Sequence, residues 1–433
     1  MKKIKECIKA FIKLLVLHSP NFALKLSRLI HGNYQINLNL DLLDPHQKRL
    51  LLCYITVTDM DFSKATHALV HHANQMIKIF IDMGFCIDVC LCNDDIAFER
   101  LRHRHYDVIL GQGPLYTRFC KEMNIPLQIL WITENTPAVV ERKYAERIDD
   151  FHRRHPAVDY SMDVPRNGFL TDEMFRSSAI AMQSSYNLQE MGVYFKKLYA
   201  INGNAFFNAD YQFQEEAMRQ SVQTSKNRFL WFGSTGLIHK GVDVLVDAFR
   251  EVPQCSIDFY GLSPMELPIF NKIKAENTVN CGRINVQSEA FIQEVVNRHC
   301  FMIFPSCSEG MSTAVATCMA HGIIPVVTRE CGFAEHEAIL ILDDWHVDSI
   351  KSKIIALNQM SDETVLNLRK AAYVYARQAF SLRHFEDSFK TIMKDIMKQN
   401  LTNRGGVKSP YSSVSLRRLS SYEATLMENE VAA

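Results

Sequence analysis

Two residues in this chain have types and surroundings suited to gripping a charged, hydroxylated ligand: Glu309 and Lys240. Glu309 stands in Pro305-Ser-Cys-Ser-Glu-Gly-Met-Ser-Thr313, a polar loop between the apolar run Cys300–Phe304 and a helix-compatible stretch. A loop joining a parallel strand to a helix is where open α/β sheets bind ligands, and a helix N-terminus favours anions. An acid at such a place suits a ligand that carries both phosphates and hydroxyls, such as a nucleotide sugar. Lys240 closes a second loop, Trp231-Phe-Gly-Ser-Thr-Gly-Leu-Ile-His-Lys-Gly241, at the end of the apolar run Phe229–Phe232. Gly233 and Gly236 relax that loop, its backbone N–H groups can face an anion, and the lysine adds a mobile cation. It is not a Walker A loop, because Gly-Lys-Ser/Thr is missing. A loop lysine alone is more often solvated than functional. Two strand ends of one sheet, however, can set a cation and an acid around one ligand.

Other residues carry weaker signals. Glu134 and Asn135 follow the strand-like run Leu127–Ile132, and two readings stay open for them: ligand contacts at a strand end that faces the cleft, or a solvated acid and a helix-capping amide before Pro137. His67, His71 and His72 open the long helical pattern that follows the first strand. His67 and His71 share a face, but no acid stands between them as in a zinc protease, so a surface helix face outweighs a metal pair. Asp59-Met60-Asp61 reads as a turn and helix start rather than a metal motif. Asp163 and Arg166 stand in a polar stretch with two prolines and Gly168 and are further polar candidates over the cleft. The twelve cysteines include no Cys-x-x-Cys and fall largely inside apolar runs, which reads as reduced core thiols without a metal site.

These residues need elements to hold them. Apolar strand-like runs alternate with helical patterns through Arg49–Val57, Ala65–Met83, Phe85–Cys92, Ala97–Arg102, Tyr106–Leu110, Pro114–Met123 and Leu127–Ile132. A charged stretch at 137–155 reads as an exposed helix, and 156–175 as a loop over the cleft. A second alternating series runs from Phe229 through Val242–Val252, Ser256–Tyr260, Ser288–Arg298, Phe301–Phe304, Thr313–His321, Ile323–Val327 and Ala338–Leu342, followed by two helices between Val347 and Lys398. Two such series predict an α/β protein with two Rossmann-like, doubly wound domains facing a central cleft. The boundaries fall at 46–203 and 204–380, with Asn202-Gly203-Asn204 as the junction and a helix at 381–399 crossing back to the first domain. Residues 400–433 are polar and serine-rich without an apolar period and read as a disordered tail.

Charge narrows the partners. Lys plus Arg and Asp plus Glu number 48 each, so no global field draws the chain to nucleic acid. No apolar run spans a bilayer. Residues 1–45 stand apart as a basic amphipathic segment: Lys2, Lys3, Lys5, Lys9, Lys13, Lys25 and Arg28 interleave with Ile4, Ile8, Phe11, Ile12 and Leu15. A helix there either lies on an anionic membrane surface through residues 1–30 or packs on the domain.

Residues 229–332 resemble the donor domain of GT-B-fold glycosyltransferases of the family 4, or group 1, type that serve bacterial polysaccharide and lipopolysaccharide biosynthesis. The likeness is carried by Gly233 with Lys240-Gly241, by Pro305-Ser306, Glu309-Gly310, Met319-Ala320 and Gly322, and by Pro325-Val326-Val327. It implies transfer of a sugar from a nucleotide-activated donor to a polysaccharide or lipid-linked glycan, with retention, no essential metal and no cofactor beyond the donor. It also implies a cytoplasmic protein, peripheral on the inner face of the plasma membrane, with 46–203 as acceptor domain and 204–380 as donor domain. Glu309 would hold donor-sugar hydroxyls, while Glu134, Asn135 and His67, with Asp163 and Arg166, would lie on the sugar or acceptor side. The amides around Gly310, Met311, Ser312 and Thr313 would face the diphosphate, together with Gly233 and Ser234, and Lys240 would offset charge on the leaving group. Two positions depart from the family pattern. Ser234 stands where an arginine is usual, in a loop one residue longer. Thr317 stands where a second glutamate would grip the ribose, and a threonine cannot make the bidentate carboxylate–diol contact. Two alternatives remain at this stage: a noncatalytic partner subunit of the same fold, with Ser234 and Thr317 as marks of decay, or a nucleotide-sugar epimerase, for which no acid/base constellation stands out.

Overall fold

The computed structural model describes residues 33–55, 68–160, 178–181, 188, 195, 197–207 and 211–402. The basic stretch at 1–30, Asp59-Met60-Asp61, His67, Asp163, Arg166 and the tail from 403 lie outside the described residues.

In the first domain, strands β1 (Tyr34–Leu38), β2 (Arg49–Tyr54), β3 (Cys86–Leu91), β4 (Val108–Gly111), β5 (Leu127–Ile132), β6 (Ser178–Ala181) and β7 (Leu198–Ala200) form one sheet in the order β1-β3-β2-β4-β5-β6-β7. Helices α1 (Ala68–Asp82), α2 (Asp95–Leu101), α3 (Gly113–Glu122) and α4 (Pro137–Arg154) alternate with them. Strands β2 to β7 pair in parallel. Leu50, Leu51, Leu52 and Cys53 have no solvent exposure, as expected where helices cover both faces of a sheet and the strands read as continuous apolar runs.

The second domain repeats the plan. After α5 (Glu215–Ser225) come β8 (Arg228–Phe232), α6 (Val242–Arg250), β9 (Ser256–Tyr260), α7 (Leu267–Ile273), β10 (Thr278–Gly282), α8 (Glu289–Glu294), β11 (Phe301–Phe304), α9 (Thr313–Met319), β12 (Ile324–Val327) and β13 (Leu340–Ile341). Its sheet order is β10-β9-β8-β11-β12-β13, with every pair parallel. The winding reverses between β8 and β11. The carboxyl ends of those two strands, from which the Lys240 and Glu309 loops depart, are therefore the switch point at which open α/β sheets bind ligands.

Three departures from the sequence reading bear on how the two domains are built and meet. Tyr34–Leu38, placed by sequence in the separate segment 1–45, pairs antiparallel with β3. Its polar composition hides it. Asn37 N donates to buried Asp88 Oδ1 at 2.7 Å, and Arg49 Nη2 donates to Asn37 Oδ1 at 2.9 Å. The C-terminal region holds three helices rather than two: α10 (Val347–Asn358), α11 (Asp362–Ala379) and α12 (Leu382–Thr402). Ser361 caps α11, its Oγ accepting from Thr364 N at 3.2 Å, and so breaks the apolar period. The start of α12 lies on the first domain: Phe385 stacks on His72 at 4.9 Å and meets Trp131 edge-on at 6.2 Å, while Lys390 and Asp82 pair at 3.6 Å.

The third departure is α4. Its charges suggest an exposed helix, but one face of it lies on the second domain. Lys143 pairs with Glu330 at 3.0 Å, Arg147 donates to the carbonyl of Pro305, and Arg154 pairs with Asp243 and Asp247 of α6. His155 Nε2 sits 2.8 Å from the same Asp247. Residues 143, 147 and 154 fall on one helical face, so the basic stripe is an interface. Asp243 is fully buried. Arg154→Ala leaves that carboxylate without its guanidinium and is expected to cost about 3 kcal/mol. Arg153→Ala, whose side chain is 73% exposed, is expected to cost under about 1 kcal/mol. Urea unfolding of the two variants measures the contrast, and equal losses would contradict a buried interdomain pair.

Candidate active site

The Glu309 loop is shaped by backbone contact with the turn after β12. Gly332 has φ +78°, and a methyl group on it would lie 1.6 Å from Gly310 O. Only glycine fits there. Hydrogen bonds complete the seam: Glu309 N donates to Glu330 O at 3.0 Å, Ser312 N to Cys331 O at 3.2 Å, and Thr328 Oγ1 to Ser306 O at 2.6 Å. The Lys240 loop is tied to the same piece of chain. Cys307 N donates to His239 O at 2.9 Å. Gly241, at φ +72°, begins α6 where a methyl would meet Pro305 Cγ at 2.6 Å and Pro305 O at 2.8 Å. Three strand-end loops are thus fastened to one another.

That packing sets Lys240 Nζ 3.7 Å from Glu309 Oε1 and 3.5 Å from exposed Ser234 Oγ. Ser306 Oγ, 3.1 Å from Glu309 Oε1, donates to it. His239 Nε2 is 3.9 Å from the same oxygen, and burial holds that imidazole below the usual histidine range, so it stands neutral at pH 7. Gly233 continues from β8 with its N–H donating to Tyr260 O at 3.1 Å. Gly310 lies against Gly332, the Met311 side chain is 4% exposed, and Thr313 opens α9.

Glu134 reaches this group from the first domain. Its Oε1 accepts from Ser308 Oγ at 2.9 Å and from Asn135 N at 2.8 Å. Asn135 is 6% exposed, and its Oδ1 accepts from Thr136 N at 2.8 Å, so its amide shapes the turn into α4. The acid of this pair therefore meets the Glu309 loop, while the amide turns inward.

Two candidates fall elsewhere. Thr317, expected near a ribose, is 2% exposed; its hydroxyl donates to Thr313 O at 2.7 Å and accepts from Phe206 N at 3.0 Å. A threonine in a helix can bond back to the preceding turn, and here it also anchors the chain between the domains. The N–H of Ser312, expected to face a diphosphate, is taken by Cys331 O. His71 and His72, read as a surface face, are buried: His71 meets Phe206 edge-on at 4.7 Å, and His72 Nε2 accepts from Asn204 N at 3.3 Å. Among the described residues no group of three or more His, Cys, Asp or Glu side chains could hold a metal ion. Sequence reasoning missed Ser308, Lys143 and Arg147. The available signal for the last two was their i, i+4 spacing on α4.

Glu134 has an unusual charge state. Burial, and then the facing charge of Glu309, push its carboxyl up to about 7. The folded protein therefore holds this proton more tightly than the unfolded chain does. Glu134 then makes stability fall as pH rises from the ordinary carboxylate range toward 7, with no further change above it. Glu134→Gln cannot ionise, yet keeps an oxygen for Ser308 and Asn135. It is expected to gain on the wild type as pH rises from about 5 to about 7.5. Thermal midpoints of both proteins across that range check this, and parallel profiles would contradict it.

Residues 226–359 match the family model of glycosyl transferases group 1. No curated protein matches. Among solved structures, sucrose-phosphate synthase from Thermosynechococcus elongatus is similar over 82% of this chain and 100% of its own, with 11% identity and a TM-score of 0.57. A glycosyltransferase from Rickettsia africae is similar over 82% and 99%, with 13% identity and a TM-score of 0.53. HepE from Anabaena, in complex with UDP and glucose, is similar over 81% and 100%, with 12% identity and a TM-score of 0.52. At such identities the likeness speaks for the fold, and the family assignment comes from the match at 226–359. Residues 226–359 therefore form a glycosyl transferases group 1 domain, in a chain that has the GT-B fold.

Proposed function

We propose that this glycosyltransferase moves a sugar from a nucleoside-diphosphate donor to a polysaccharide or lipid-linked glycan, with retention and without a metal. The observation that carries the reading is the meeting of Lys240 and Glu309, 3.7 Å apart at the reversal point of one parallel sheet, with Glu134 of the other domain 2.9 Å from Ser308. The binding of UDP and glucose by HepE, a protein of the same fold, supports a nucleotide-sugar donor.

In this reading Glu309 accepts hydrogen bonds from donor-sugar hydroxyls, and Glu134 faces the sugar from the opposite side. The N–H groups of Gly310, Met311 and Thr313 turn toward the diphosphate, near Gly233 and Ser234. The bond from the anomeric carbon to the diphosphate oxygen breaks, and an acceptor hydroxyl oxygen bonds to that carbon and passes its proton to the departing diphosphate. The diphosphate leaves with the electron pair. Lys240 lies where that charge grows, and a cation set there before reaction lowers the barrier most. The acceptor enters from the first domain, and His67 is its candidate contact from the sequence alone. The protein works on the cytoplasmic face of the plasma membrane, held there by the basic, apolar-striped residues 1–30. Among the described residues no helix is long and apolar enough to cross a membrane.

A panel of nucleotide sugars, scored first by thermal shift and then by hydrolysis and transfer, tests the reading. A nucleoside diphosphate at 100 times its Kd is expected to stabilise the wild type by about 2.7 kcal/mol. Lys240→Ala and Glu309→Ala are each expected to lower transfer about 100-fold or more while remaining folded, and chelation with EDTA is expected to leave the wild-type rate unchanged. Intact turnover in both variants would refute the site. A rate restored by added divalent metal after EDTA would refute the metal-free mechanism.

A further inference from the structure

The loop that ends in Lys240 already holds an anion, and the anion is part of the protein. Glu266 is fully buried at the start of α7. Its Oε1 accepts from Gly236 N at 2.6 Å and from Leu237 N at 2.7 Å, and its Oε2 accepts from Ser263 N at 3.2 Å. The other side of residue 236 is held by the lysine itself, since Lys240 N donates to Gly236 O at 2.7 Å. Gly236 has φ +125°, and a methyl on it would lie 3.3 Å from Lys240 Cγ and 3.4 Å from Cδ and Cε. The aliphatic stem of Lys240 therefore runs across Gly236, and its Nζ ends near Ser234 and Glu309.

We infer that Glu266 is a positioning residue that aims Lys240, and that it occupies the loop amides a phosphate would otherwise use. A carboxylate with three N–H donors is bound before any substrate arrives, and displacing it would strand a buried charge. The amides of Gly236 and Leu237 are thus closed to a diphosphate, and the lysine cation becomes this loop's main contribution to it. The arrangement also bears on Ser234. Without the arginine usual at that position, the direction of a single lysine matters more, and Glu266 fixes it through Gly236. The inference rests on the reading of Lys240 as the counter-charge of a diphosphate.

The test is a double-mutant cycle read as the preference for a second phosphate, the ratio of monophosphate Kd to diphosphate Kd. UDP, ADP and GDP are titrated against their monophosphates into the full-length wild type, Lys240→Ala, Glu266→Asp, Glu266→Gln and the Glu266→Asp/Lys240→Ala pair. Lys240→Ala is expected to lower the ratio about tenfold. Glu266→Asp, one methylene too short to reach both amides, is expected to lower it similarly, and the pair is expected to lose no more than Lys240→Ala alone. Glu266→Gln keeps an oxygen for Gly236 and Leu237 and is expected to hold the ratio within about threefold of wild type. Because both ligands are measured on the same folded protein, a general loss of stability leaves the ratio unmoved. A wild-type ratio in Glu266→Asp beside a reduced one in Lys240→Ala would overturn the role of Glu266 alone, as would additive losses in the pair. A ratio that Lys240→Ala does not change would overturn the reading of Lys240 and the inference with it.

Discussion

The site depends on how closely backbone can approach backbone at the carboxyl edge of the second sheet. Gly332 lies against the carbonyl of Gly310, and Gly241 lies against that of Pro305. A β-carbon at either place would push the loops apart by more than a van der Waals contact allows, and a positive φ would add strain. With glycine at both, the loops after β8, β11 and β12 close into one rigid piece. Glu309 then needs little adjustment of its own: its N–H is held by Glu330 O and its carboxylate by Ser306 Oγ. In the proposed role, a group set in advance costs no reorganisation during reaction, which is where electrostatic catalysis gains most.

The second domain does not complete the site alone. Helix α4 carries Lys143, Arg147 and Arg154 onto the second domain, and the same chain brings Glu134 to Ser308. Buried ion pairs add little net stability over apolar contacts, but breaking one is costly, so they specify a geometry more than they strengthen it. Arg147, 1% exposed, lies over the ring of Trp345 at 4.1 Å, and burial lowers its pKa from the usual arginine range. Such a contact tolerates few other arrangements of the two domains. Burial and the facing charge of Glu309 push the Glu134 carboxyl up to about 7, so a group in the seam changes charge in the physiological range.

Much of the fold was legible because parallel strands buried on both faces are apolar throughout. Leu127–Ile132, Ser256–Tyr260 and Phe301–Phe304 have the same limits in sequence and structure. Strand β1 was not legible, because its residues are half polar and its partner is the buried carboxylate of Asp88, far along the chain. That Glu309, Lys240 and their glycines lie at neighbouring strand ends could be read from spacing. The fate of Thr317 could not: its hydroxyl is taken by Phe206 N, a contact that depends on where the chain between the domains runs. Glu266 was invisible for a similar reason. Nothing in the residues around it, Pro264-Met265-Glu266-Leu267, says that its carboxylate turns inward to a loop some thirty residues earlier. Helix α4 misled because a basic stripe reads the same whether water or two buried aspartates lie opposite.

The central claim is that one ligand is gripped jointly by Lys240, Glu309 and Glu134. The most direct measurement is a crystal structure of the chain with the nucleotide sugar that stabilises it best. The account predicts the diphosphate within hydrogen-bonding reach of Lys240 Nζ, and the sugar between the carboxylates of Glu309 and Glu134. A nucleotide bound with its phosphates away from Lys240, or a sugar that touches neither carboxylate, would contradict it.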